Sequence, residues 1–144
     1  MKKVILYTDG SCFSNPGPGG WACVLIYNEV EKHLSGGKKE TTNNEMEITA
    51  VLNGLKALKE PCYVDVYSDS AYVVNTFDKH WIDGWIKNGW KNSAKKEVKN
   101  KELFQEVYEL MQVHKVKFHK VAGHKDDKYN NLCDELARKE SAKF

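Results

Sequence analysis

The 144-residue chain contains no apolar run near the roughly 20 residues that a membrane-spanning helix needs. The opening Met1-Lys2-Lys3 leads into only four strongly apolar residues before Thr8-Asp9, too short a run for the core of a signal peptide. Prolines number three and glycines ten, which excludes collagen-like and low-complexity chains. The four cysteines, Cys12, Cys23, Cys62 and Cys133, form no C-x-x-C pair. That scatter, in a domain too large to need disulfide staples, argues for free thiols in a reducing compartment, the cytoplasm. A length of 144 residues suits one domain with one core, spanning 1–144.

The charge is nearly balanced overall, at +2, but not locally. Residues 87 to 101 hold Lys87, Lys91, Lys95, Lys96, Lys99 and Lys101 against the single acid Glu97, which leaves the rest of the chain net negative. Trp81, Trp85 and Trp90 stand in and just before this stretch. Rings and ammonium groups concentrated together suit a surface that lies against a polyanion. The same composition also fits a solvated lysine loop beside a helix that turns Trp81, Ile82, Trp85 and Ile86 inward.

Alternation and turn signals predict strands at Val4–Asp9, Trp21–Tyr27, Glu31–Gly37, Tyr63–Asp69 and Lys115–Val121, with a tight Gly-Pro loop at 16–20. Helical spacing predicts a helix from an N-cap at Thr42-Asn43 to about Leu58, carrying Ile48, Val51, Leu52 and Leu55. Shorter helices follow over Ser70–Thr76, Trp81–Lys87 and Lys101–Val113, and a closing one from Asn131 to about Lys139. The order makes an α/β domain with a mixed sheet. Short connections make the first three strands antiparallel, and helical crossovers then set strands 4 and 5 parallel to strand 1. Strands 1, 3, 4 and 5 therefore finish at one edge of the sheet.

That edge collects acids. Asp9 ends strand 1, Asp69 ends strand 4, Glu47 lies in the first turns of the helix after strand 3, and Asp134 falls in the first turn of the helix after strand 5. Glu47, Val51 and Leu55 form an i, i+4, i+8 row, which sets the glutamate beside the apolar stripe facing the sheet. Four neighbouring carboxylates need protons or cations to relieve their repulsion. All-oxygen ligation with at most one histidine suits a hard ion, Mg²⁺ or Mn²⁺, rather than zinc.

Tyr7-Thr8-Asp9-Gly10-Ser11, Asn15-Pro16-Gly17-Pro18-Gly19-Gly20-Trp21, Thr41-Thr42-Asn43-Asn44-Glu45-Met46-Glu47, Tyr67-Ser68-Asp69-Ser70, Gly123-His124 and Cys133-Asp134-Glu135-Leu136-Ala137-Arg138 together resemble the bacterial-type ribonuclease HI family. The resemblance spans nearly the whole chain. It implies a ribonuclease H-like fold, a five-stranded mixed sheet with helices on both faces, and an endonuclease that cuts the RNA strand of RNA/DNA hybrids with two Mg²⁺ ions. It makes Asp9, Glu47, Asp69 and Asp134 metal-binding catalytic carboxylates and His124 a catalytic histidine. A pair of such ions holds a scissile phosphate, activates water and stabilises the departing 3′ oxygen, leaving 5′-phosphate and 3′-hydroxyl ends. His124 would accept or relay a proton near neutral pH.

The resemblance also implies minor-groove contacts from Asn15, Asn43 and Asn44, with Cys12 in the neighbouring loop, and a phosphate grip on the DNA strand from Thr42. Trp81, Trp85, Lys87, Trp90, Lys91, Lys95, Lys96 and Lys99 become a basic handle on the hybrid backbone. Ala71, Phe104 and Phe118 depart from the commoner family pattern, which has a glutamine at the first and tryptophans at the other two. Two other readings share parts of these features: a transposase or resolvase on the same broad fold, and a catalytically silent hybrid-binding module. The implied partner is the hybrid, with no membrane and no protein partner, and the implied state is a monomer.

Overall fold

The computed structural model of the chain describes residues 1–122 and 127–144. Five strands, β1 (Lys2–Cys12), β2 (Gly17–Tyr27), β3 (Val30–Thr41), β4 (Cys62–Ser68) and β5 (Lys115–Lys120), make one sheet in the order β3-β2-β1-β4-β5. The helices are α1 (Asn43–Lys56), α2 (Ala71–Asp78), α3 (Trp81–Lys87), α4 (Lys101–Met111) and α5 (Lys128–Ser141). β2 pairs antiparallel with β1 and β3, whereas β4 pairs parallel with β1 and β5 with β4. Strands 1, 3, 4 and 5 thus share a direction, as the crossover rules require.

Each strand of the centre alternates its side chains between two packed layers. Val4 and Leu6 of β1 and Val64 and Val66 of β4 meet Ile48, Val51 and Leu55 of α1, together with Phe77 of α2 and Phe104 of α4. Across the sheet, Ala22 and Val24 of β2 pack on Cys133 and Ala137 of α5. Truncating a buried leucine such as Leu6 or Leu55 to alanine costs about 2–5 kcal/mol in cores of this kind.

Several boundaries differ from the sequence expectations, each for a local reason. β2 starts at Gly17 rather than Trp21, because Gly19 and Gly20 already pair with Cys12 and Ser11. At Gly20 a side chain would meet the backbone carbonyl of Ala137, so the bare backbone is what lets α5 lie close to the sheet. α5 starts at Lys128 rather than Asn131, because the Asp127 carboxylate caps it by accepting the Asn130 N–H at 3.0 Å. α1 opens as expected, Thr42 Oγ1 accepting the Glu45 N–H at 3.1 Å, but it ends at Lys56.

β1 and β4 stay paired only as far as Tyr7 and Tyr67. Beyond that point β1 continues with β2 alone to Cys12 while the chain after β4 turns into α2. The two strands part, and a notch opens between their carboxyl ends, the position where open α/β sheets place ligands.

Candidate active site

Asp9 lies two residues past the last β1–β4 pair and Asp69 directly follows β4, so the two aspartates flank the notch. Asp69 is fixed by its backbone neighbours: the Ser70 N–H donates to Ser68 Oγ at 3.1 Å, and Ser70 Oγ caps α2 by accepting the Val73 N–H at 3.2 Å. Glu47 arrives from α1 and is 4% exposed. It reaches Asp9 because residue 10 is glycine, where an added Cβ would come within 2.5 Å of the Glu47 nitrogen and 2.6 Å of the Met46 carbonyl carbon. Asp9, Glu47 and Asp69 each offer an oxygen within 4.8 Å of the other two.

The electrostatics of this cluster are unfavourable without a counter-charge. Burial first, and the Asp69 charge second, push the Asp9 carboxyl up to about 7, although the Gly10 N–H donates to its Oδ1 at 2.9 Å. Glu47 is held well above the ordinary carboxylate range, again by burial first and then by Asp9 and Asp69. Its Oε2 is buried with no hydrogen-bond partner among the described residues. An orphaned carboxylate oxygen facing two further carboxylates fits a hard divalent cation, which would supply the missing partner and cancel the repulsion.

Asp134 stands apart from the tight group. It is the seventh residue of α5 and so lies in the second turn, not the first as the sequence suggested, because the helix starts earlier than expected. Its carboxylate lines the same cavity, of about 360 Å³, and contributes to raising the Asp9 pKa. Arg138, one turn on, holds it through Nε at 3.2 Å, an i, i+4 pair that the sequence reading passed over although its spacing is visible there. His124 lies outside the described residues.

A second cavity, of about 880 Å³, adjoins the first, and Asn43 lines both. Asn15, Thr42, Asn44, Trp85 and Lys99 also line it, which brings together residues that the sequence reading drew from three separate segments. Asn15 Oδ1 accepts the Asn43 N–H at 2.8 Å, tying the β1–β2 turn to the start of α1. Tyr72, Asn92 and Asn100 also join the wall and were not anticipated. Asn100 adopts the left-handed region at φ 61°, a feature set by the loop and not visible in residue type. Cys12 lines the carboxylate cavity, its thiol 2.7 Å from the Ser14 carbonyl oxygen.

The tryptophan and lysine segment divides its labour. Ile82 is buried and Trp85 and Trp90 are half-buried against the core, Trp85 resting on Phe104 with ring centroids 5.4 Å apart. Trp81, Ile86, Lys87, Lys91, Lys95, Lys96 and Lys99 are exposed. Half of the inward-packing alternative therefore holds, and it anchors a segment whose exposed lysines face solvent. Phe104 and Phe118 are core residues, Phe118 stacking on Phe77 at 4.4 Å, so those two departures from the family pattern alter packing rather than surface.

Comparison with known proteins agrees with this geometry. The ribonuclease H of Caldicellulosiruptor saccharolyticus is 58% identical over 138 residues, covering 96% of this chain and 95% of that protein. That of Acetivibrio thermocellus is 58% identical over 143 residues, covering 99% and 97%. Among solved structures, LC9-RNase H1, described as a type 1 RNase H with the type 2 active-site motif, superposes with a TM-score of 0.87 at 26% identity over 99% of this chain and 73% of its own. The RNase H domain of PFV in solution gives 0.79 at 27% identity, over 98% and 95%. The family model for RNase H matches residues 1–142, and on these grounds the chain belongs to the ribonuclease H family of divalent-metal-dependent enzymes.

Proposed function

We propose that the chain, acting as one ribonuclease H domain and as a monomer in the cytoplasm, hydrolyses the RNA strand of RNA/DNA hybrids such as primers and R-loops. The observation that carries this reading is the buried Glu47 Oε2, without a hydrogen-bond partner among the described residues, set against the two further carboxylates of Asp9 and Asp69 beside an asparagine-lined groove. Asp9, Glu47, Asp69 and Asp134 would hold the cations, Mg²⁺ in the first place. Bound there, two divalent ions supply an activated water and charge stabilisation for the departing 3′ oxygen, giving 5′-phosphate and 3′-hydroxyl ends.

The chain's own residues do the rest. Asp9 and Glu47, desolvated by burial, are the rigid ligands, because neither can swing into water. Asp134, more exposed and tethered by Arg138, is the adjustable one. His124, between β5 and α5 in the sequence, accepts or relays a proton. Asn15, Asn43 and Asn44 offer amides to the 2′-hydroxyl side of a shallow minor groove, which is how RNA is told from DNA. Thr42 and the lysines of the tryptophan and lysine segment take backbone phosphates, with Trp81 and Trp85 alongside.

A labelled RNA/DNA hybrid, duplex RNA and duplex DNA, each incubated with Mg²⁺ or EDTA, test this reading. Cleavage confined to RNA in the hybrid supports it. Processing of duplex DNA favours a transposase-like activity, and retention without cutting a silent binding module; either would overturn it.

A further inference from the structure

The turn between β1 and β2 carries an aromatic ring that neither the core nor the carboxylates use. Phe13 is 65% exposed and belongs to neither of the two apolar clusters found among the described residues. Exposed single apolar residues are common, so exposure alone carries nothing. Position does. The residue before it, Cys12, lines the carboxylate cavity, and the residue two after it, Asn15, lines the groove. Phe13 itself lines neither cavity, but its chain neighbours line both, so a polymer laid from one cavity into the other runs beside this turn.

The turn is also held. The Phe13 N–H donates to the Pro18 carbonyl at 3.0 Å, Ser14 Oγ donates to the Pro16 carbonyl at 3.0 Å, and Asn15 Oδ1 binds the start of α1. With the turn's backbone already held, covering the ring costs side-chain rotamer freedom but no ordering of the loop.

We infer that Phe13 is a further substrate-contact residue, its ring packing on the apolar sugar faces and base edges of the hybrid between the reaction centre and the groove. The inference rests on the hybrid reading above. Such a contact is apolar and neutralises no phosphate, which separates it from the lysines: it raises affinity without changing how affinity depends on salt. It also contributes nothing to the folded core.

The test is fluorescence anisotropy of a labelled hybrid with the full chain in Ca²⁺, with the absence of cleavage verified, over a series of salt concentrations. Phe13→Ser is expected to weaken binding about five- to tenfold, in the lower range of aromatic contacts to nucleic acid. The slope of log affinity against log salt is expected to stay at the parental value, as is the melting temperature, to within about 1 °C. Phe13→Trp is expected to restore the affinity. Parental binding by Phe13→Ser, a changed salt slope, or a loss of affinity accompanied by a lower melting temperature would each overturn the inference while leaving the proposed function standing. A parent protein that ignores the hybrid would overturn both.

Discussion

Asp9 and Glu47 stand on different elements and 38 positions apart in sequence, yet their carboxylates meet because Gly10 has no side chain to keep α1 away from β1. Everything chemical in the site depends on that approach. Replacing Gly10 with alanine is expected to cost about 2–3 kcal/mol by overpacking, since the obstructing atoms are backbone atoms of Met46 and Glu47 that cannot rotate aside. Cleavage should fall by more than the stability loss explains. Thermal unfolding and hybrid turnover on the same preparation check this, and a stable, fully active Gly10→Ala would contradict it.

Without cations the cluster is an electrostatic load, and the load depends on pH. The Asp9 carboxyl, near 3.8 in an unfolded chain, is pushed up to about 7 in the fold, and Glu47 is raised as well. A raised pKa means that the folded state binds its proton more tightly than the unfolded chain does. Stability is therefore greatest below pH 4 from these groups and is lost as pH climbs towards 7. In EDTA the melting temperature is expected to fall by about 5–10 °C between pH 5 and pH 8, and Asp9→Asn should remove much of that fall. Added Mg²⁺ should raise the melting temperature more at pH 8 than at pH 5. Identical pH profiles for the parent and Asp9→Asn in EDTA would contradict the assignment.

Asp9→Asn and Asp69→Asn each remove a ligand charge at almost constant volume. Turnover is expected to drop by about 10³-fold or more, with hybrid affinity within a few-fold of the parent. Parental cutting rates by either variant would remove that residue from the site.

The lysine-rich segment makes a separate prediction. Lys87, Lys91, Lys95 and Lys96 are all exposed, so changing them together to alanine should leave the fold intact. The salt slope of hybrid binding should flatten by about 2–4, according to how many of the four lie on phosphates. An unchanged slope would reduce the segment to a solvated loop.

Much of this arrangement is legible in the residues, because strand direction propagates through chain order. Once two short connections and a crossover helix are recognised, Asp9, Glu47 and Asp69 must share an edge, and the i, i+4, i+8 row of Glu47, Val51 and Leu55 turns the glutamate inward. What the residues do not convey is how closely elements approach. Asp134 looks equivalent to the other acids in sequence, but the Asp127 cap starts α5 early, placing Asp134 in the second turn, outside the tight group and against Arg138. The groove is similarly opaque. Asn92 and Asn100 join its wall through a loop with left-handed residues at Trp90, Lys95 and Asn100, a path that local composition does not specify.

The most direct test of the central claim is a single-turnover assay on a hybrid labelled in its RNA strand, using protein stripped with EDTA and then titrated with Mg²⁺. The account predicts no cleavage in the stripped protein, full recovery as Mg²⁺ is added, and no recovery for Asp69→Asn at the concentrations that saturate the parent. Undiminished cutting after exhaustive chelation would contradict it.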